Sequence, residues 1–354
     1  MSNEAKQEKI VRNSSIELLR IVCMLMIIGG HIIMQHNTVY NIKDIDFVFI
    51  LFLRGAFAVA VNAFVLISGY FGINFKWQRL LKLDIQTIFY SVLLLAVSIV
   101  LGWHAFSLRK DLLLFFPILS KQYWFITCYA VLYFIAPLLN RWSVSMNSTT
   151  YKKVLISGSF IIYLWPTINF LFAAQQFISD AGYGIVNFAY LYMLGQYIRY
   201  HYSDKISAVR YLSWYFLTII VLFIFICQYI LSYVLGFEFT SWISYNTLFI
   251  LVGSIFLFLA FKNMHFQSTI VNKLAQPCLA VYLIHLHPCI WSEFCQTIGV
   301  SSFHGYQYLM LIFVLPVVIY LACTFIDTIR TVMFGRFENC VIGFMVQKLK
   351  LRRM

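Results

Sequence analysis

Arg20 and His31, with ten residues between them, lie in the first long apolar stretch, Ile16 to Met34. Eleven residues of α-helix rise roughly 16 Å and complete about three turns, so both side chains fall on one stripe. A fixed cation then sits at the edge of a bilayer and a titratable imidazole about halfway into it. Ionisable groups inside a span are costly, and they mark a pathway or a reaction site. An imidazole at that depth is suited to general-base or nucleophilic work.

The elements that carry this pair follow from composition. The 354 residues are 62% hydrophobic and 11% charged, where a soluble domain carries roughly a quarter charged residues. A mean hydropathy of +0.82 leaves no room for a large water-soluble domain. Apolar runs near 20 residues predict an all-α, polytopic membrane bundle of about ten helices. These cover residues 17–36, 47–70, 83–103, 123–139, 154–174, 184–200, 214–235, 243–261, 270–291 and 308–334. The ninth is interrupted by Pro277 and Pro288, and the apolar segment 112–119 is too short to span. The domain reading is a short tail (1–16), a transmembrane catalytic domain (17–335) and a basic tail (336–354), both tails cytoplasmic.

Charge orients the bundle. With the N-terminus inside, 21 of the 26 Lys and Arg residues fall on inner ends and loops; Lys43, Arg54, Arg109, Lys110 and Lys121 fall outside. That asymmetry is the positive-inside rule, and it fits an even number of spans. The net charge of +13 is therefore a topological signal with some attraction for anionic lipid headgroups. It does not indicate nucleic acid, since no basic soluble domain carries it. The first span is too long and too polar for a cleavable signal peptide.

Several chemistries are excluded. There is no phosphate-cradling Gly-rich loop, no dinucleotide fingerprint and no zinc helix. No cysteine pair has metal-ligand spacing, so no metal is expected; only Cys289 and Cys295 are placed to approach each other. Thirteen acidic residues, few of them within spans, leave little scope for paired-carboxylate catalysis. Histidine, arginine, tyrosine and tryptophan remain.

Ordered blocks of sequence then narrow the choice. Arg12, Ile16-Glu17-Leu18-Leu19-Arg20 and Gly30-His31 come first, followed by Asn62-Ala63-Phe64-Val65-Leu66-Ile67-Ser68-Gly69-Tyr70. Next are Tyr123-Trp124-Phe125 with Pro137-Leu138-Leu139, Tyr190-Leu191-Tyr192-Met193-Leu194-Gly195, and Ala280-Val281-Tyr282-Leu283-Ile284-His285. Together these resemble the acyltransferase family 3 membrane proteins along essentially the whole chain. Two departures stand out. The family often carries two arginines in the inner loop before the third span, whereas this chain pairs Arg79 with Lys76 and Lys82. Lysine neutralises phosphate but lacks the bidentate fork. Glu17 stands where relatives commonly have Asp.

The resemblance implies transfer of an acyl group, most often acetyl, from a coenzyme A thioester to a hydroxyl of a cell-surface or lipid-linked polysaccharide at a bacterial inner membrane. Acetyl-CoA is then the co-substrate, with Arg20, Lys76, Arg79 and Lys82 facing its phosphates. A donor arm of roughly 15–20 Å matches the helical rise from Arg20 to His31. His31 would act as general base or accept the acyl group itself. Glu17, three residues before Arg20, would hold that arginine. Arg54, Tyr123, Trp124 and Tyr282 are candidate oxyanion donors, and His285 is a further site candidate; His287 and His36 read as interfacial.

Plainer readings exist for each group. His31 would also serve as an interhelical hydrogen-bonding residue, Arg20 as a snorkelling anchor, and the inner-loop cations as topology signals alone. The rival function is a transporter or flippase of a lipid-linked saccharide, but no two-halved pattern of interrupted helices accompanies it.

Overall fold

The computed structural model describes residues 12–35, 45–172, 180–201, 208–235 and 243–351, and every regular element among them is helical. Helix α1 (Ser14–Gln35) starts where the Asn13 side chain accepts hydrogen bonds from the Ser15 and Ile16 N–H groups, two donors that a first turn leaves free. It is followed by α2 (Ile45–Phe71) and α3 (Trp77–Val100). A surface segment then carries the single turns α4 (Leu108–Asp111) and a 3-10 turn, Leu112–Phe115. The segment read as too short to span thus contains one tight turn, tied to α3 by a Ser91 hydroxyl donating to the Leu114 carbonyl at 2.6 Å.

Helix α5 (Trp124–Ser145) leads to α6 (Ser148–Ser159), which passes through a π-turn (Phe160–Leu164) into α7 (Trp165–Leu171). Asn147 caps α6 through the Thr150 N–H, which starts this stretch six residues before the predicted position 154. Then come α8 (Ile185–His201), α9 (Ala208–Leu235) and α10 (Leu248–Lys262). The predicted ninth span is two short helices, α11 (Thr269–Leu274) and α12 (Cys278–His285), and it ends where a third, α13 (Trp291–Ile298), begins. Pro277 and Pro288 fall at its breaks, where a missing N–H and a fixed φ stop a helix. Finally α14 (Gly305–Leu351) runs 47 residues without interruption, a length of roughly 70 Å, well past the predicted end at 334.

Six of these helices (α1, α2, α3, α5, α9 and α14) are long and apolar enough to cross a membrane. The chain is a polytopic membrane helical protein. The helix ends gathered around Ser14, Arg79, Arg199 and Lys262 form a basic end; His31, Trp124, Tyr183 and Trp291 lie toward the opposite end.

Two of the sequence blocks meet at one helix crossing. A Cβ on Gly69 of α2 would lie 2.2 Å from the Tyr192 carbonyl oxygen, and one on Gly195 of α8 would lie 2.5 Å from the Leu66 carbonyl oxygen. Small residues let membrane helices approach this closely, so Ser-Gly-Tyr and Leu-Gly are the two halves of one contact. The apolar core has two parts, one centred on α2, α5, α8 and α10 and the other on α1, α12 and α14. Phe64 and Phe125 pack against both.

Candidate active site

A cavity of about 570 Å³ lies at the seam between the two parts of the core. Arg20, Met24, Ile27, His31 and Met34 of α1 line it, spaced four, three, four and three residues apart. This is the one-face stripe predicted from the Arg20–His31 spacing. Val61, Phe64, Ile67 and Ser68 of α2 form a second wall, and Trp124, Phe125, Ile126 and Tyr129 of α5 a third. Ala275, Leu279, Tyr282 and Leu286 repeat the stripe in and around α12. Tyr183 and Tyr245 line the opposite end from loops that precede α8 and α10.

His31, which lines the cavity, meets the buried His285 behind its wall. The His285 Nδ1 lies 2.6 Å from the Val281 carbonyl oxygen, and its Nε2 lies 3.4 Å from His31 Nδ1. A carbonyl only accepts, so Nδ1 of His285 carries a proton. With both rings neutral, His285 Nε2 is then a lone pair that accepts from His31 Nδ1–H. The network thereby assigns the remaining lone pair to His31 Nε2, the nitrogen with no partner in the pair. Trp291 packs edge-on against both imidazoles, with ring centroids 6.3 Å from His31 and 5.7 Å from His285.

The break in α12 sets this geometry. Because a proline at 288 donates no N–H and the helix ends at His285, the last carbonyls need other partners. The Tyr123 hydroxyl, 2% exposed, donates to the Leu283 carbonyl at 3.0 Å. Tyr123 does not line the cavity; its hydroxyl is committed to the turn that carries His285. Tyr282 and Trp124 do line the cavity, and the Tyr282 ring lies 6.2 Å from that of His285.

At the basic end, Arg20 Nη1 donates to both Glu17 oxygens at 3.2 Å. The Glu17 carboxylate is buried while Arg20 remains about one-third exposed. Lys76, Arg79 and Lys82 are exposed around the start of α3, and Leu83, one turn beyond Arg79, lines the cavity. The Tyr129 hydroxyl lies in the field of both Arg20 and Arg79, close to Ser68. Arg54 is half-buried in α2 and does not line the cavity. It does share a helical face with Val61, which does.

Sequence reasoning missed Trp291, Tyr129, Ser68, Tyr183 and Tyr245. Ser68 lies within the block Asn62–Tyr70 and Tyr245 within the predicted eighth span, but nothing in their types or spacing separates them from ordinary bundle residues. His287, read as interfacial, is fully buried: its Nε2 donates to the Ser91 carbonyl at 3.0 Å and its Nδ1 accepts from the Cys289 N–H. His36 lies outside the described residues. Cys289 and Cys295 are both free thiols.

The acyltransferase 3 family model, described as an acyltransferase domain, matches residues 13–329. No curated protein and no solved structure matches the chain.

Proposed function

We propose, from the premise that this chain belongs to the acyltransferase 3 family and is a membrane acyltransferase, that it moves an acetyl group from cytoplasmic acetyl-CoA to a hydroxyl of a cell-surface or lipid-linked polysaccharide. In this reading the basic end faces the cytoplasm of a bacterial inner membrane and both termini lie there. The short helices α8 and α10, the α6–α7 stretch and the broken α11–α12 region complete about ten passes. The observation that carries the proposal is one cavity lined by Arg20, by His31 and by the aromatic rings of Trp124, Tyr183 and Tyr245.

Arg20, Lys76, Arg79 and Lys82 would receive the phosphates of the donor, with Glu17 holding Arg20 in place. The cavity volume falls in the range of about 300–1,000 Å³ usual for small-molecule sites, and its walls are mostly apolar, suited to an extended thioester arm. The His31 Nε2 lone pair takes the proton of the acceptor hydroxyl. The freed oxygen attacks the thioester carbonyl carbon, the C–S bond breaks, and His31 returns the proton to the departing thiolate. His285 accepts from His31 Nδ1–H throughout, which steadies the imidazolium form and its orientation. Tyr282 is the cavity's own donor for the charge that develops on the carbonyl oxygen.

The test is release of free thiol from acetyl-CoA by purified protein in nanodiscs. Wild type should release it, and His31→Ala should bind the donor yet lose at least about 100-fold in rate, the low end for removing a general base. A His31→Ala protein that matches wild type refutes the role of His31. A wild type that binds no acyl-CoA of any chain length refutes the donor assignment.

A further inference from the structure

The opposite end of the cavity is built around three aromatic rings. Trp124 and Tyr245 are nearly parallel, their centroids 5.8 Å apart at 21°. Tyr183 closes the group at 4.5 Å from Trp124 and 4.9 Å from Tyr245. The three come from different parts of the chain, and a buried polar network ties two of them down. Asn62 Nδ2 donates to the Tyr245 carbonyl at 2.8 Å, and Asn187 Nδ2 donates to the Gly182 carbonyl at 2.9 Å and to Asn62 Oδ1 at 3.3 Å. Tyr163 in turn donates to Asn187 Oδ1. Asn62, Asn187 and Tyr163 are each at most 2% exposed.

The turn that presents Tyr183 is itself demanding. Ala181 has φ +51° and Gly182 φ +83°. A Cβ on Gly182 would lie 2.7 Å from the Asn246 nitrogen, so only glycine fits where this turn presses on the Tyr245 loop. The Tyr245 N–H donates to the Ala181 carbonyl at 3.1 Å. A lipid tail, which adapts to its surroundings, gains nothing from rings held so rigidly.

We infer that Trp124, Tyr183 and Tyr245 form the platform on which a pyranose ring of the acceptor lies while its hydroxyl is presented to His31. A pyranose offers a face of weakly positive C–H groups to the negative face of an aromatic ring, and hydroxyls at its edge. Each face-to-face contact needs roughly 3.5–4 Å, so the spacings here are too small for a sugar to enter between two rings. It rests instead on the cavity side of the group. Contacts lead from there to the histidines: Trp124 to Phe125 at 5.8 Å, Phe125 to Tyr282 at 5.9 Å, Tyr282 to His285 at 6.2 Å. Tyr183 is 41% exposed, which opens the platform to an acceptor arriving from outside. The inference rests on the acyltransferase reading for its acceptor, and on the ring geometry for its location.

Fluorine-labelled tryptophan and 19F NMR of the full chain in nanodiscs test it, with Trp124→Phe and Trp291→Phe assigning the two signals. Methyl glycosides of glucose, galactose and N-acetylglucosamine are the acceptor probes, and acetyl-CoA is the donor probe. At least one glycoside should shift the Trp124 signal saturably, and Tyr183→Ala should weaken its apparent Kd about tenfold, equivalent to roughly 1.4 kcal/mol. Acetyl-CoA should shift the Trp291 signal in wild type and in Tyr183→Ala alike. No saturable Trp124 shift with any glycoside overturns the platform, as does a shift produced by added phospholipid instead. Failure of acetyl-CoA to move Trp291 or to release thiol strikes the acyltransferase reading, and leaves a glycoside shift at Trp124 as evidence of a saccharide site.

Discussion

At the scale of single residues the proposed chemistry turns on which nitrogen of His31 is free. A histidine whose Nδ1–H is held by an acceptor presents Nε2 as the base, and His285 supplies that acceptor only because Val281 occupies its own Nδ1. His285→Ala should therefore lower kcat by about ten- to a hundredfold, below the full worth of a general base, with the donor KM little changed. His285→Gln keeps a side-chain acceptor and should recover part of the loss. Equal kcat values for the alanine and glutamine variants would contradict the tautomer argument. Arg20 and His31 were legible in the sequence because they lie on one helix, where spacing alone dictates a shared face. Trp291 was not, because its contact with His31 spans 260 positions of chain and depends on a helix break that no periodicity encodes.

At the scale of elements, two contacts hold the site and each has its own consequence. The α2–α8 crossing admits no side chain at Gly69. Gly69→Ala should force the helices apart, cost about 1–3 kcal/mol as overpacking does, and lower the melting temperature of the detergent-solubilised protein by several degrees. Gly30→Ala is the matched control: a Cβ there meets nothing within 4 Å, so it should leave the melting temperature unchanged or raise it. A Gly69→Ala protein that melts like wild type would remove the crossing from the account. The Tyr123 hydroxyl at Leu283 holds the end of α12. Tyr123→Phe leaves a buried carbonyl without its partner, a loss of about 1–3 kcal/mol, and should reduce thiol release while leaving donor affinity near that of wild type. Unchanged turnover would make Tyr123 a packing residue only. The positions of the long helices were readable from apolar runs, since length and hydropathy decide them. The fate of residues 270–291 was half-readable: the two prolines announced the breaks, but that His285 would be brought to His31 depends on packing between α1 and α12. The run of α14 to Leu351 was unreadable from apolar runs because Arg330, Arg336 and Glu338 interrupt them; within the helix Arg330 ties Asp327 and Glu338 together at 2.8 Å.

At the scale of the whole molecule the proposed reaction brings two substrates together inside a bilayer, the donor entering at the basic end and the acceptor at the aromatic end. The cavity gives that idea a path, with Arg20 partly exposed at one end and Tyr183 at the other. The rival reading as a saccharide transporter draws on the same path, but it leaves unexplained why a histidine on that path should be oriented by a second, buried one. Sidedness separates the two most directly. Acetyl-CoA does not cross a lipid bilayer unaided, so it can be offered to one face at a time in membrane vesicles of opposite orientation made from cells producing the protein. Inverted vesicles, with the Lys76, Arg79 and Lys82 side outward, should release thiol from added acetyl-CoA, and their His31→Ala counterparts should not. Right-side-out vesicles should release none until made leaky. Equal release from both orientations, or release confined to the right-side-out vesicles, would contradict the passage of the acyl group from the basic end to His31.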